Sequence, residues 1–286
     1  MEMLPSSGGS IEIPENLGVV DAHCHASEFW YEPVEPLLFQ MDRHGIERAV
    51  IVQVLGQYDN SYQRKCVQAH PDRLCSVVSV DVNREDSCEE LERLALEEGA
   101  TGLFTHSIER SPGDDPLAIW RTAERLKLPV IVPLSRGKGG DSQKERNEFA
   151  ELIAELPRLP IVLAHLGGAK PPFGEDETSL RAQAFSLSRF PNVYITFGGV
   201  GEIAERAFPL GPGHYYGPFP PYHMMAYEAF GAERLMWGSN YPRVSGHEGY
   251  AGALASAKER FAGLPENEQG LIFGGNANRL YFSRAA

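Results

Sequence analysis

A chain of 286 residues exceeds the ~150 typical of one domain, yet α/β barrels run to this length as a single unit. With 42% hydrophobic and 23% charged residues it is neither disordered, collagenous nor coiled-coil. A formal net charge of −13 opposes binding to nucleic acid or an anionic membrane, and no apolar run reaches the ~20 residues of a membrane span. Residues 1–10 lack the basic and apolar parts of a signal peptide, so a cytoplasmic protein is expected, one domain over 1–286 with 1–16 as an N-terminal extension. Cys24, Cys66, Cys75 and Cys88 form no CxxC pair and are expected to be reduced and mostly structural.

Short, nearly continuous apolar segments predict strands buried on both faces at 18–25, 48–54, 75–81, 101–106, 128–135, 160–165, 192–197 and 234–240. Helical spacing falls between them, at 35–44, 61–70, 87–98, 116–127, 143–156, 180–189, 222–230 and 250–261. Gly45 and Gly99 read as C-terminal caps, and Asp115-Pro116 as a helix start. Eight βα units in one run predict an α/β protein of the (β/α)8 TIM-barrel type. A doubly wound sheet would carry a GxGxxG turn after its first strand, where this chain has His-Cys-His. The biased stretch 210–221 belongs to the catalytic face of such a barrel, and its Tyr215, Tyr216 and Phe219 either cap a small ligand or form a rigid surface excursion.

Strand one closes with Asp21-Ala-His23-Cys-His25. Alternation puts Asp21, His23 and His25 on one face, with the imidazoles ~7 Å apart, and turns Cys24 toward the helices. Neighbouring buried histidines are costly without a metal, an acid or a substrate, which favours function over structure. His165 ends strand six before Leu-Gly-Gly, and His106 ends strand four. Either sits at the mouth where barrel enzymes keep their sites, or is satisfied by a loop carbonyl. Arg136, Lys138, Lys170 and Arg243 each follow a strand end and together suggest a mouth that orients an acidic organic substrate, although each alone reads as a solvated loop residue. Tyr58, Tyr216 and His223 are further candidates for the pocket, against a plain packing role.

Three motifs in order, Asp21-Ala-His-Cys-His25, Ala164-His-Leu-Gly-Gly168 and Ala229-Phe-Gly-Ala-Glu-Arg-Leu-Met-Trp-Gly-Ser-Asn-Tyr-Pro242, resemble the amidohydrolase-related branch of the amidohydrolase superfamily, which includes 2-pyrone-4,6-dicarboxylate lactonase. The resemblance spans essentially the whole chain. It implies a TIM barrel that hydrolyses a cyclic ester: His23, His25 and His165 donate to the carbonyl, water attacks, and basic loop residues hold the carboxylate of a small substrate.

Two departures stand out. The family's strand eight normally ends in an aspartate, where this chain has Asn240, and an amide is no base near neutral pH. Metal-dependent relatives also carry a histidine at the end of strand five, absent from Val130-Ile-Val-Pro-Leu-Ser135. His23 and His25 are then the metal candidates, with the site either metal-free or holding a zinc or manganese ion weakly. Asn240 has three readings: a natural substitution with another base (Asp21, His106 or His165), loss of activity, or a deliberate change that holds substrate without turnover. The alternatives to a lactonase are a metal-dependent decarboxylase of an aromatic or unsaturated acid, and a non-catalytic binding barrel. A homodimer is compatible with a barrel of this size.

Overall fold

In the computed structural model, which describes residues 18–107, 109–134, 142–168, 177–204 and 219–283, eight parallel strands form one sheet in the order β1 to β8. They are β1 (Val19–Cys24), β2 (Ile46–Val52), β3 (Leu74–Val78), β4 (Gly102–Phe104), β5 (Val130–Val132), β6 (Ile161–Leu163), β7 (Val193–Phe197) and β8 (Leu235–Trp237). Helices follow them in turn: α1 (Val34–His44), α2 (Ser61–Ala69), α3 (Ser87–Leu96), α4 (Ala118–Arg125), α5 (Ser142–Glu155), α6 (Glu177–Phe185), α7 (Tyr222–Phe230) and α8 (Gly249–Phe261). The chain is a TIM barrel, as its alternation predicts. Residues 1–16, Arg136, Lys138, Lys170, Tyr215 and Tyr216 lie outside the described residues.

The strands read as unbroken apolar runs because both faces are buried. Val20, Ala22, Val50, Val77, Ile131, Val162 and Met236 fill the barrel, while Leu37, Met41, Trp120, Phe149 and Phe261 belong to the layer between strands and helices. Gly45 caps α1 in the left-handed conformation at φ 67°, as expected. Helix α4 begins two residues later than predicted, because the Asp115 side chain takes the Leu117 N–H at 3.0 Å and holds a turn there first.

β8 meets β1 through main-chain bonds from Asn240 N–H to the His23 carbonyl and from His25 N–H to the Tyr241 carbonyl, both 2.8 Å. Gly238 is required at this seam, since a Cβ there would lie 2.7 Å from the His23 Cβ. At the opposite end, unanticipated in the sequence, helix α9 (Glu266–Gly270) continues in wider turns over Leu271–Gly275 and Asn278–Phe282. Its Ala277, Leu280 and Tyr281 join the barrel-filling cluster and form a floor. No helix among the described residues is long and apolar enough to cross a membrane.

Candidate active site

Between Asp21 and Cys24, β1 advances three residues while β2 advances only from Ala49 to Ile51. The extra residue is a bulge, and it breaks the alternation that would put Asp21 beside the histidines. Asp21 is instead fully buried behind the site, accepting from Ser239 N–H at 2.8 Å, Ser239 Oγ at 2.5 Å, Tyr250 Oη at 3.0 Å and His23 N–H at 3.2 Å. Burial pushes its carboxyl up to about 6 against the pull of those bonds. Asp21 therefore ties β1 to β8 and is not a substitute base in the cavity. Cys24 points the other way as expected, its thiol donating to the Val50 carbonyl at 3.3 Å.

His23, His25, His165, Glu202, Asn240 and Arg243 line a cavity of about 570 Å³ at the C-terminal mouth. The His23 ring centroid lies 4.4 Å from that of His165 and 5.1 Å from that of His25. His25 Nδ1 is 2.8 Å from the Val52 carbonyl, which can only accept, so Nδ1 carries the hydrogen and Nε2 presents a lone pair. That corrects the expected donor role of His25: while neutral, it has no hydrogen to offer a substrate oxygen. Burial pushes it down to about 4, so it is neutral at pH 7. His23 is also held well below the usual range, by burial and by the two neighbouring imidazoles. Its Nδ1 is buried with no partner among the described residues. An unpaired acceptor costs less than an unpaired N–H, which leaves Nε2–H as the donor His23 offers.

His165 sits on a turn in which His165, Leu166, Gly167 and Gly168 all have positive φ. Buried Arg181 on α6 stabilises this strained backbone, its Nη1 donating to the carbonyls of His165 (3.0 Å), Leu166 (3.0 Å) and Gly168 (2.5 Å). The His165 Nδ1 is 3.1 Å from Glu202 Oε1.

Glu202 was not among the sequence candidates. It ends the turn Gly198-Gly-Val-Gly-Glu202 directly after β7, and a glycine-rich turn closing on a carboxylate at a strand's C-terminal end is the signal that marks it. The glycines make its seat, since a Cβ on Gly198 would fall 2.5 Å from the Glu202 carboxyl. Burial pushes the Glu202 acid up, but the His165 imidazole and the Asn240 amide, whose Nδ2 donates to Oε1 at 2.9 Å, hold it below the usual range. Asn240 itself has a left-handed backbone, φ 56°, which asparagine tolerates well.

The other sequence candidates scatter. Arg243 lines the cavity. His106 sits in an adjoining cleft with Tyr58 and Glu109 that shares the Leu55 wall, so the end of β4 places it beside the cavity rather than in it. His223 is buried on α7 with its ring 5.1 Å from that of Phe197, a packing position behind β7 and outside the cavity lining. Neither His106 nor His223 is brought to the cavity wall shared by His23, His25 and His165, where the sequence reading expects them.

The amidohydrolase family profile matches residues 20–282. The chain belongs to the amidohydrolase family. It is 29% identical over 271 residues to L-fucono-1,5-lactonase from Burkholderia ambifaria, covering 89% of this chain and 85% of that protein. An amidohydrolase from Burkholderia multivorans with bound zinc shares the fold, with a TM-score of 0.71, 19% identity and coverage of 92% of this chain and 99% of that one. So does a probable 2-pyrone-4,6-dicarboxylic acid hydrolase from Acinetobacter baumannii with citric acid bound, with a TM-score of 0.67, 19% identity and coverage of 92% and 98%.

A tight metal centre does not fit the donors of this amidohydrolase. Among the described residues no three His, Cys, Asp or Glu side chains are grouped to hold an ion. The Glu202 carboxylate is engaged by His165 and Asn240, and that of Glu248, which also lines the cavity, accepts from the Gly201 N–H at 3.0 Å. Two neutral imidazoles, His23 and His25, support at most a weakly held divalent ion.

Proposed function

We propose that the protein hydrolyses a lactone, a small cyclic ester whose oxygen-rich substituent, a carboxylate first of all, faces Arg243. The observation that carries this reading is the meeting of His23, His25 and His165 with Arg243 over one cavity, in a chain similar over 89% of its length to a sugar lactonase.

His165 is the base. An ionised Glu202 accepts from Nδ1–H, so Nε2 holds the lone pair that takes a proton from water, and the carboxylate steadies the resulting imidazolium. His25 cannot do this, since burial keeps its ring from taking a second proton at pH 7 and no carboxylate supports it among the described residues; its lone pair orients the water. The ester carbonyl oxygen gains negative charge as water adds, and the His23 Nε2–H donates to it. Collapse breaks the ring C–O bond, and the alkoxide oxygen takes the proton from His165. The product is the open hydroxy acid, and the equation balances with one water consumed.

The test is proton release from a panel of sugar 1,5-lactones and carboxylated pyrones, with and without a chelator, alongside carbon dioxide release from aromatic acids. Hydrolysis of one lactone class that survives chelation, and that falls at least ~100-fold in kcat/KM on Arg243→Met for the carboxylated members, supports the reading. Carbon dioxide release without lactone hydrolysis would replace it with a decarboxylase.

A further inference from the structure

Asn240 raises the question of where the site keeps its carboxylate, and the geometry points to an answer. We infer that Glu202, delivered from the turn after β7, is the positioning carboxylate of His165, and that Asn240 is the amide matched to it, so that asparagine at the end of β8 belongs to a working site. This deepens the lactone-hydrolase reading and rests on it for the identity of the reaction.

One carboxylate oxygen, Glu202 Oε1, receives both His165 Nδ1 at 3.1 Å and Asn240 Nδ2 at 2.9 Å. The second bond needs a donor, which an amide has and an ionised aspartate lacks. An aspartate at position 240 would set two carboxylates within hydrogen-bonding distance, and one of them would have to protonate or move away. The pair is built from both sides. The Asn240 backbone is fixed by its N–H bond to the His23 carbonyl, and the Glu202 side chain occupies space that only glycine at 198 leaves open. Glu202 Oε2 and Asn240 Oδ1 remain buried without partners among the described residues, two acceptors at the cavity wall. A water or a substrate hydroxyl satisfies them with donors, which suits a hydroxylated lactone and its attacking water.

The experiment compares the full-length protein with Glu202→Gln, Asn240→Asp and the double variant, each checked for folding by circular dichroism and melting temperature. Turnover of the best lactone is measured together with the ring nitrogen shifts of His165 in histidine-labelled protein. Glu202→Gln should lower kcat at least ~100-fold with KM changed less than about threefold, as expected for a group that acts through the base rather than on substrate. Asn240→Asp should lower kcat at least ~10-fold. The double variant keeps one amide and one acid with their places exchanged. Its new amide accepts from His165 Nδ1 through the oxygen and donates to the new carboxylate at the end of β8, so kcat should recover at least ~10-fold over Glu202→Gln. In the ring shifts, the Nδ1 proton of His165 should weaken its bond in Glu202→Gln and regain part of it in the double variant. Wild-type kcat in Glu202→Gln, or an Asn240→Asp variant as active as wild type, overturns the assignment. If no lactone is turned over by the wild type, the lactone reading fails, and unchanged His165 shifts in Glu202→Gln would still reject the role of Glu202 while changed shifts uphold it.

Discussion

The two ends of the barrel are built on opposite terms. At the floor, Ala277, Leu280 and a fully buried Tyr281 close a mainly apolar cluster beneath Val20, Val50 and Met236, in which the Tyr281 hydroxyl is a lone exception, buried without a partner among the described residues. At the mouth, His165, Leu166 and Asn240 have left-handed backbones, and His23 Nδ1, Glu202 Oε2 and Asn240 Oδ1 are buried without partners among the described residues. The same eight strands supply both ends. The contrast shows where stability is generated and where it is spent: the floor gains from burial, and the mouth holds polar groups and strain that only a firmly packed scaffold tolerates.

Breaking the floor should have the largest effect. Tyr281→Ala removes a large side chain from the barrel interior and should cost about 3–5 kcal/mol in a denaturant titration. A loss under about 1 kcal/mol would show that the barrel stands without its C-terminal plug.

Acid should strike the mouth and its surroundings next. Burial pushes His25 and His223 down to about 4 from an ordinary 6.5, so the unfolded chain binds more protons than the folded one between those values, and stability falls as pH drops through that window. Each histidine accounts for roughly 2 kcal/mol between about pH 6.5 and 5. Asp21 works the other way: with its carboxyl pushed up to about 6, it becomes more favourable as pH falls toward its ordinary 3.8, and offsets part of the loss. Net destabilisation is expected, read as a falling denaturation midpoint from about pH 7 to 5. A flat profile would mean that the folded protein holds these imidazoles charged.

The sharpest version of the contrast is a change at the mouth that costs turnover far more than stability. His165→Ala takes a partner from the buried Glu202 carboxylate and should still lower unfolding free energy by less than Tyr281→Ala does, while lowering lactone turnover at least ~100-fold. Measuring both on one preparation separates a residue that works from one that packs.

The fold was legible because periodicity survives through most of each of the eight βα units, down to Gly45 at the end of α1. The site was legible where a side chain follows its strand directly, as with His23, His25, His165 and Asn240. It was not where local backbone departs from the regular repeat. The β1 bulge turned Asp21 away from the histidines, the ends of β4 and α7 carried His106 and His223 out of the cavity, and Glu202 lies past the end of β7 on a turn with no strand periodicity to mark it. Helix α9 and its extension escaped because the wider turns over Leu271–Gly275 and Asn278–Phe282, with Gly274 and Gly275 among them, do not keep the 3.6-residue repeat by which a helix is read.

The seam between β8 and β1 has a consequence for how the protein comes into being. Asp21 and Ser239, whose bonds join the first strand to the last, stand 218 residues apart in the chain. Nothing local rewards β1 for waiting, so a nascent chain emerging from the ribosome carries an apolar strand with an open edge until the final quarter has been synthesised. The histidines of β1 have their complete surroundings only once β8 has docked, although His25 already meets the Val52 carbonyl of β2. Completion of the ring and completion of the cavity are therefore one event in the life of the molecule, and a chain stalled short of β8 would be a client for chaperones rather than a barrel with part of its site.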